Sequence, residues 1–239
     1  MTVDPRALSA AGNNADLYAA MFASHGLASK RLPHVFVGID RPPPYYSNLT
    51  VLAPGHGDEI AAELRVLGKK FAGALGVKDS FCELDPAPLG FEILFGASWI
   101  WRAAGVPASL DGWERIADQA GLELWEETWK NTGSPTRQRM FRPSLLERPD
   151  IAFLGRREGG EIVSGCIANL SGDCVGISNV FSKTPPDGLF VQAAAAVASL
   201  APHLPITGYE SGEDLQQARR AGFETVGDLR ILVSRAARM

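Results

Sequence analysis

The sequence has 239 residues, of which 46% are apolar and 21% are charged, and its formal net charge is −4. These values are typical of a globular protein with one large domain or two small ones. The basic residues form no run and no apolar stretch is long enough to span a bilayer, so we expect neither a nucleic-acid partner nor a membrane partner. The three widely spaced cysteines lie in apolar runs, which predicts buried free thiols in a reducing, cytoplasmic setting.

The first half predicts alternating helices and strands. Asn13 or Asn14 is expected to cap the first helix, since asparagine is a favoured N-cap residue. The expected elements are a helix over 15–24, strands over 35–39 and 49–52, a helix over 58–75, strands over 79–84 and 91–95, and helices over 110–120 and 122–129. The polar stretch over 131–142 predicts a domain boundary.

All five tryptophans lie between positions 99 and 129, and four of them, at positions 99, 101, 125 and 129, predict an aromatic cluster. Trp125 and Trp129 are four residues apart, which places them on one helix face. Such rings suit an acceptor pocket, and Trp99 and Trp125 are therefore candidate substrate-binding residues. The alternative is an ordinary hydrophobic core, because tryptophan is largely buried on average.

The last third has the clearest pattern. Apolar runs over 161–170 and 174–182 flank a Ser-Gly-Asp break, which predicts a β-hairpin. Pro185 and Pro186 end the second strand, because proline donates no ladder hydrogen bond. An alanine-rich helix over 189–201, a strand over 205–209, a helix over 213–221 and a strand over 223–233 complete the pattern.

The closing phrase ARRAGFETVGDLRILV, over 218–233, resembles the last helix and strand of the GCN5-related N-acetyltransferase (GNAT) superfamily. The resemblance covers the last third of the chain. It implies an α/β fold with a mixed, mostly antiparallel twisted sheet flanked by helices. Residues 136–239 would form the acyl-CoA-binding region, and residues 1–135 either an extension or a partial second GNAT-like unit.

The resemblance also implies acetyl-CoA as co-substrate and no metal. The cofactor would lie in a wedge between two splayed parallel strands, with its pyrophosphate at a helix N-terminus, where free N–H groups favour an anion. The candidate cofactor-binding residues are Asn179, Val180, Phe181, Ser182, Lys183, Gly188, Leu189 and Phe190. Asn179 would bond either a ligand amide or a bulged backbone. The family's Gln/Arg-x-x-Gly-x-Gly/Ala loop is replaced here by Pro-Pro-Asp-Gly-Leu-Phe, where Asp187 either opposes a diphosphate or caps the helix.

Two candidate catalytic residues follow from the same comparison. The family's acid is a tyrosine four residues before the Gly-Phe glycine, and this position is Ala218 here. Tyr209 is the candidate substitute as general acid, and Glu210 is the candidate base. The alternatives are a tyrosine half-buried at a strand end and a solvated loop carboxylate.

The sequence thus predicts an acyl-CoA-dependent N-acetyltransferase that acts on an amine of a small molecule or peptide by direct attack on the thioester. The alternative is a catalytically degenerate GNAT-like module that binds a ligand or protein, since fold alone does not give function. A homodimer formed through the aromatic-rich first 130 residues is a further hypothesis.

Overall fold

The computed structural model describes residues 2–105, 112–184 and 188–234. The helices are α1 (Pro5–Ser24), α2 (Gly57–Lys70), α3 (Gln119–Asn131), a 3-10 turn (Pro143–Leu145), α4 (Leu189–Leu200) and α5 (Gly212–Arg220). The strands are β1 (Ser29–Arg31), β2 (Val35–Gly38), β3 (Leu49–Val51), β4 (Gly76–Asp79), β5 (Phe91–Arg102), β6 (Trp113–Arg115), β7 (Ile151–Glu158), β8 (Glu161–Ser171), β9 (Cys174–Ser182), β10 (Ile206–Glu210) and β11 (Glu224–Ser234).

All the described strands belong to one sheet, in the order β1-β2-β3-β4-β11-β5-β10-β9-β8-β7-β6. Within it, β3 with β4 and β9 with β10 are parallel, and the other neighbours are antiparallel. The last strand, β11, lies between β4 and β5 at the centre of the sheet. The mixed, mostly antiparallel sheet that the sequence predicts is therefore confirmed.

The helices cover both faces of this sheet. On one face, α1 packs its alanines against Trp99 of β5, and α3 packs Trp125 against Phe153 of β7. On the other, α4 and α5 pack against Ile100 of β5 and Ile206 of β10, and α2 covers β2, β3 and β4. Successive side chains of a strand point to opposite faces, so Trp99 lies in the core under α1 and its neighbour Ile100 in the core under α4 and α5.

The first helix begins ten residues earlier than predicted. Asp4 caps it by accepting a hydrogen bond from the Arg6 N–H at 2.8 Å, and Pro5 suits the first helical position. Asn13 and Asn14 are therefore buried residues of the helix interior rather than caps.

Two further predictions in the middle of the chain differ from the structure. The expected helix over 110–120 is absent from 112–118, because Trp113–Arg115 forms the edge strand β6 and Asp118 caps α3; its first residues lie outside the described ranges. The expected strand over 79–84 ends at Asp79, whose carboxylate accepts hydrogen bonds from the N–H groups of Glu83 and Leu84 and folds the chain into a turn.

The hairpin and the elements after it lie within a few residues of their predicted bounds. Cys82, Cys166 and Cys174 are free thiols, as expected, but Cys82 is only partly buried, in contrast to Cys166 and Cys174. The segment over 131–142 does not interrupt the sheet, and the boundary predicted there remains a prediction. No helix in the described part of the chain is long and apolar enough to cross a membrane.

Candidate active site

Strands β9 and β10 separate after a short contact. They pair only through Val175 with Ile206 and Gly176 with Thr207. From Gly208 onward β10 continues against β5, whereas β9 follows β8 to its end. At Gly208 the two backbones still lie close together, since an added Cβ would lie 2.6 Å from the Ile177 carbonyl oxygen. A wedge therefore opens between two parallel strands, as the sequence predicts for this pair.

A β-bulge changes the direction of β9 beside the wedge. Ser178 pairs with Ile167 and Phe181 pairs with Gly165, so two residues of β9 face one residue of β8. Asn179 lies at this bulge with φ of 52°, in the left-handed region that asparagine tolerates better than most residues. Its side-chain amide donates a hydrogen bond to the Ser178 hydroxyl at 3.1 Å. The bulge is therefore present at Asn179, but this hydrogen bond of its side chain goes to a hydroxyl and not to the bulged backbone.

A cavity of about 180 Å³ occupies the space between the wedge and α1. Its walls come from α1, the loop before β3, α3, β8 and the two diverging strands. They are formed by Ala10, Asn13, Asn14, Leu17, Tyr18, Tyr45, Tyr46, Trp129, Asn169, Gly176, Ile177, Ser178, Asn179, Thr207, Gly208, Tyr209 and Glu210. Three predicted site residues, Asn179, Tyr209 and Glu210, are therefore brought together.

Tyr209 contacts both Trp99 and Tyr18. Its ring packs edge-on against Trp99, with 5.6 Å between the ring centroids. Burial and the nearby Glu210 carboxylate raise the pKa of Tyr209 to about 12, while a hydrogen bond with Tyr18 acts in the opposite direction. The phenol therefore remains protonated at neutral pH and can donate a hydrogen bond into the cavity.

Glu210 follows directly on the strand. Burial, and to a lesser extent the carboxylate of Asp214, raises the pKa of Glu210 to about 8. A carboxylate that titrates close to neutral pH is well matched to general base catalysis, in contrast to a solvated one.

Lys78 of β4 lies behind this wall and was not identified from the sequence. It is 0% exposed, and its Nζ donates a hydrogen bond to Asn14 Oδ1 at 2.5 Å. The same nitrogen lies 4.0 Å from the ring centroid of Tyr209 and 4.6 Å from that of Tyr18. Burial lowers the pKa of Lys78 well below its usual value, which favours the neutral amine.

A pair of asparagines closes the far end of the cavity. Asn169 Nδ2 donates to Asn13 Oδ1 at 2.9 Å, and Asn13 Nδ2 donates to the Asn169 carbonyl at 3.1 Å. An added Cβ on Gly176 would lie 2.1 Å from Asn169 Oδ1 and 2.2 Å from Asn13 Oδ1. The glycine therefore leaves the space that this buried pair needs.

Sequence reasoning missed these α1 residues because they are distant in sequence from the wedge. The sequence predicts Asn13 or Asn14 only as a helix cap and gives Tyr18 no role in a site. Their proximity to β9 and β10 results from the docking of α1, for which a single sequence contains no local signal.

The other predicted cofactor residues surround the wedge without lining the cavity. Phe181 is buried against Trp125, with 4.8 Å between ring centroids, and Val180 packs on the core beneath α4. The Ser182 hydroxyl contacts that of Ser164 at 2.9 Å. Lys183 forms an ion pair with Glu161, with Nζ and Oε2 2.8 Å apart.

The start of α4 is described from Gly188 onward. Gly188 is the N-cap residue, with φ of 81°, and the side chains of Leu189 and Phe190 are buried in the core. The predictions for Pro185, Pro186 and Asp187 lie outside the described residues. Ala218 of α5 is also buried in this core rather than at the cavity.

The predicted pocket residues Trp99 and Trp125 belong to the core instead. Both are 0% exposed, and their indole N–H groups donate to the backbone carbonyls of Ser80 and Leu154, each at 2.8 Å. A buried indole with a satisfied N–H needs no ligand. Trp129 is the tryptophan that lines the cavity. Among the described residues, no group of three or more histidine, cysteine or carboxylate side chains could hold a metal ion.

Comparison with solved structures places this geometry in a known architecture. A GCN5-related N-acetyltransferase from Kribbella flavida is 13% identical, with 93% of this chain and 96% of that chain aligned at a TM-score of 0.63. A putative acetyltransferase of the GNAT family from Novosphingobium aromaticivorans is 14% identical, with 91% and 96% aligned at a TM-score of 0.57. A functionally unknown conserved protein from Staphylococcus epidermidis is 11% identical, with 86% and 92% aligned at a TM-score of 0.61. No family model matches the sequence, and the search of curated proteins found no match.

Proposed function

We propose that this chain, which has the fold of the GCN5-related N-acetyltransferases, transfers an acetyl group from acetyl-CoA to an amine. The observation that carries the proposal is the wedge between β9 and β10, which opens into a cavity walled by Tyr209 and Glu210. A closed, continuously paired sheet would leave no place for a thioester arm.

The residues present fit acetyl-CoA. Between Ile177 and Ser182, β9 has no strand partner on its β10 side within the described sheet, so its backbone is available to an extended, amide-bearing arm. The bulge at Asn179 turns this backbone next to the cavity. Acetyl-CoA would supply the thioester carbonyl carbon that is attacked.

The cofactor contacts follow from the positions of these residues. Asn179 and Ser182 would contribute polar groups. Val180, Phe181, Leu189 and Phe190 would act through their backbone, because their side chains are turned into the core. Gly188 would present the start of α4, where helix N–H groups attract anions.

Glu210 and Tyr209 divide the proton chemistry. Glu210 takes a proton from the attacking amine. A phenol with a pKa of about 12 transfers a complete proton poorly to a thiolate, whose usual pKa is about 8.5. Tyr209 therefore acts first as a hydrogen-bond donor to the group on which negative charge develops.

The experiment has two measurements on the same protein. Isothermal titration with acetyl-CoA should show saturable binding, and a thiol-reactive dye should report CoA release when an amine panel is added. Absence of heat at high-micromolar acetyl-CoA would contradict the proposal.

A catalytically degenerate module is the second candidate. It is favoured by the ion pair that engages Lys183 with Glu161, and by Ala218 in place of the family tyrosine. It predicts that acetyl-CoA or another ligand binds while no amine releases CoA. Phe181 and Phe190 count against it, since both leave the cavity unfilled.

We also propose that residues 1–135 and 136–239 derive from two GNAT-like units. In the strand order, the parallel pair β3/β4 lies directly on one side of the central β11/β5 pair and the parallel pair β9/β10 directly on the other. This symmetry is expected of two units that have exchanged their last strands, so that β11 pairs with β4 and β5 pairs with β10. Proteolytic cleavage within 131–142 should then give two fragments that elute together and separate only in denaturant.

The hypothesis of a homodimer through the first 130 residues also stays open to test. Ile93, Leu94 and Phe95 of β5 are 51%, 62% and 41% exposed and offer a candidate surface. Light scattering would show twice the chain mass for a dimer, and a monomeric mass would remove the hypothesis.

A further inference from the structure

The described walls of the cavity carry an acidic side chain and no basic one. Among the described residues that line the cavity, Glu210 is the one that carries a carboxyl group, with a pKa raised to about 8, and none is a lysine or an arginine. The remaining walls are aromatic, amide, hydroxyl and aliphatic groups. A ligand that carries a negative charge would therefore find no cationic partner at these walls.

Lys78 does not supply the missing cation. Its Nζ is fully buried behind Tyr209 and Tyr18 and is hydrogen-bonded to Asn14 Oδ1. Burial lowers its pKa and so favours the uncharged form. Its amine is thus both shielded from the cavity and unsuited to neutralise a carboxylate.

The aromatic walls favour the opposite charge. Tyr18, Tyr46, Tyr209 and Trp129 all line the cavity. Aromatic faces attract alkylammonium groups through the ring quadrupole, and the attraction grows when the site excludes water. Together with the Glu210 carboxylate, they would receive a protonated amine before it loses its proton.

The cavity is also small. Its volume of about 180 Å³ holds roughly six water-sized groups, at about 30 Å³ each. The part of the acceptor that enters is therefore a short stem, and any group on the carbon that bears the nitrogen must enter with it.

We propose that the acceptor is a small primary amine with no carboxylate on its amine-bearing carbon, held with its nitrogen between the aromatic walls and Glu210. This inference rests on the proposed function and narrows its substrate class. An α-amino acid would place its carboxylate two bonds from the nitrogen, next to the Glu210 carboxylate. The resulting repulsion in a poorly solvated site should disfavour it by about a hundredfold.

The test compares valine, valinamide and isobutylamine at pH 8.5, where most of Glu210 is ionised. Valinamide matches valine in size but has an uncharged amide in place of the carboxylate. Isobutylamine has neither a carboxylate nor an amide. Binding of each is measured by calorimetry without acetyl-CoA, and acetyl transfer is measured as kcat/KM with it. We expect valinamide and isobutylamine to exceed valine about a hundredfold in both measurements.

Two variants assign the effect to the cavity charge. In Glu210→Gln the binding preference for valinamide over valine should shrink at least tenfold, because the like charge is gone. In Glu158→Gln, whose parent side chain is 60% exposed and paired with Arg156, the preference should be unchanged. Equal shrinkage in both variants would overturn the inference.

The outcomes separate this inference from the proposed function. Valine bound as well as valinamide would overturn the inference even if acetyl-CoA binds and turns over. Failure of all three ligands to bind at tens of millimolar would overturn it too. If valinamide and isobutylamine are preferred over valine but acetyl-CoA does not bind, the cavity still selects amines without a carboxylate, and the acetyltransferase proposal fails.

Discussion

The Nζ of Lys78 lies 4.0 Å from the ring centroid of Tyr209, and both side chains point to the α1 face of the sheet. Lys78 belongs to β4 and Tyr209 to β10, two strands separated by β11 and β5. The candidate catalytic tyrosine therefore rests on a lysine from the other half of the chain. Its position depends on correct assembly of the whole sheet centre.

Replacement of Lys78 tests whether its amine is neutral. At pH 7 the free energy of unfolding of Lys78→Met should stay within about 2 kcal/mol of the wild type, because the variant loses the hydrogen bond of an uncharged amine to Asn14 Oδ1 and no charge. Lys78→Arg should lose about 3 kcal/mol or more, because a guanidinium stays charged. Urea denaturation gives both values.

The pH dependence of this pair of variants has a defined sign. Since the folded-state pKa of Lys78 lies below its unfolded value, the unfolded chain binds more protons between the two, and wild-type stability rises with pH toward about 10.5. Any gain in the free energy of unfolding of Lys78→Met over the wild type should therefore become smaller from pH 6 to pH 10. An advantage that grows with pH would contradict a neutral lysine.

Glu210→Gln should stabilise the protein in alkaline solution. The folded-state pKa of Glu210 is about 8 against an ordinary 4.5, so the wild type loses stability as pH rises through this window. The variant has no such loss and should gain a few kcal/mol at pH 9 and almost nothing at pH 4. Thermal unfolding at the two pH values measures the gap, with Glu158→Gln as the control that should show none.

The same carboxylate should shape the rate profile. If Glu210 is the base, kcat/KM should rise with pH through about 8, and Glu210→Gln should abolish this rise and lower the rate by about a hundredfold or more. A variant that keeps both the rise and the rate would remove Glu210 from the chemistry.

Tyr209→Phe should separate binding from turnover. The ring keeps its packing on Trp99 and Lys78, so the fold and the acetyl-CoA affinity should be retained. Loss of the hydroxyl should lower kcat by about a hundredfold, as for other lost transition-state donors. Tyr45→Phe is the comparison variant, because Tyr45 lines the same cavity but its hydroxyl donates to the Pro135 carbonyl. Equal rates for the two variants would exclude Tyr209 as a donor.

Gly176→Ala should damage both stability and the site. Its Cβ would displace the Asn13–Asn169 pair, leaving buried amides without partners, at a cost of about 2–3 kcal/mol. Gly96→Ala is the control, since its Cβ would lie 4.0 Å from the Leu229 carbonyl oxygen, an ordinary van der Waals contact. Urea denaturation compares the two, and similar losses would show that the asparagine pair is not what Gly176 protects.

The C-terminal elements were predictable because their signals are local. The Ser-Gly-Asp break and the alanine-rich run each act within a few residues of the structure they specify. Tyr209 and Glu210 could be selected because the resemblance to the GNAT superfamily points to the strand on which they lie, and Asn179 because it is a polar residue inside an apolar strand.

The rest of the site depends on tertiary contacts. Lys78 lies in a short strand with an ordinary pattern, and only the packing of α1 shows that its amine is buried beside Asn14 and Tyr18. The helix predicted over 110–120 was wrong over residues 112–118 for a related reason. Pairing with β7 holds Trp113–Arg115 extended, and this partner is more than 35 residues away in the sequence.

The position of β11 has a consequence for how the chain is made. Its residues leave the ribosome after every other strand, yet they form the seam between β4 and β5. The outer strands of both flanks can assemble during synthesis, whereas the middle must wait for the carboxyl-terminal strand. Until then, Lys78 and Tyr209 have no continuous sheet to hold them together, so a nascent chain cannot present a finished pocket ahead of its own completion.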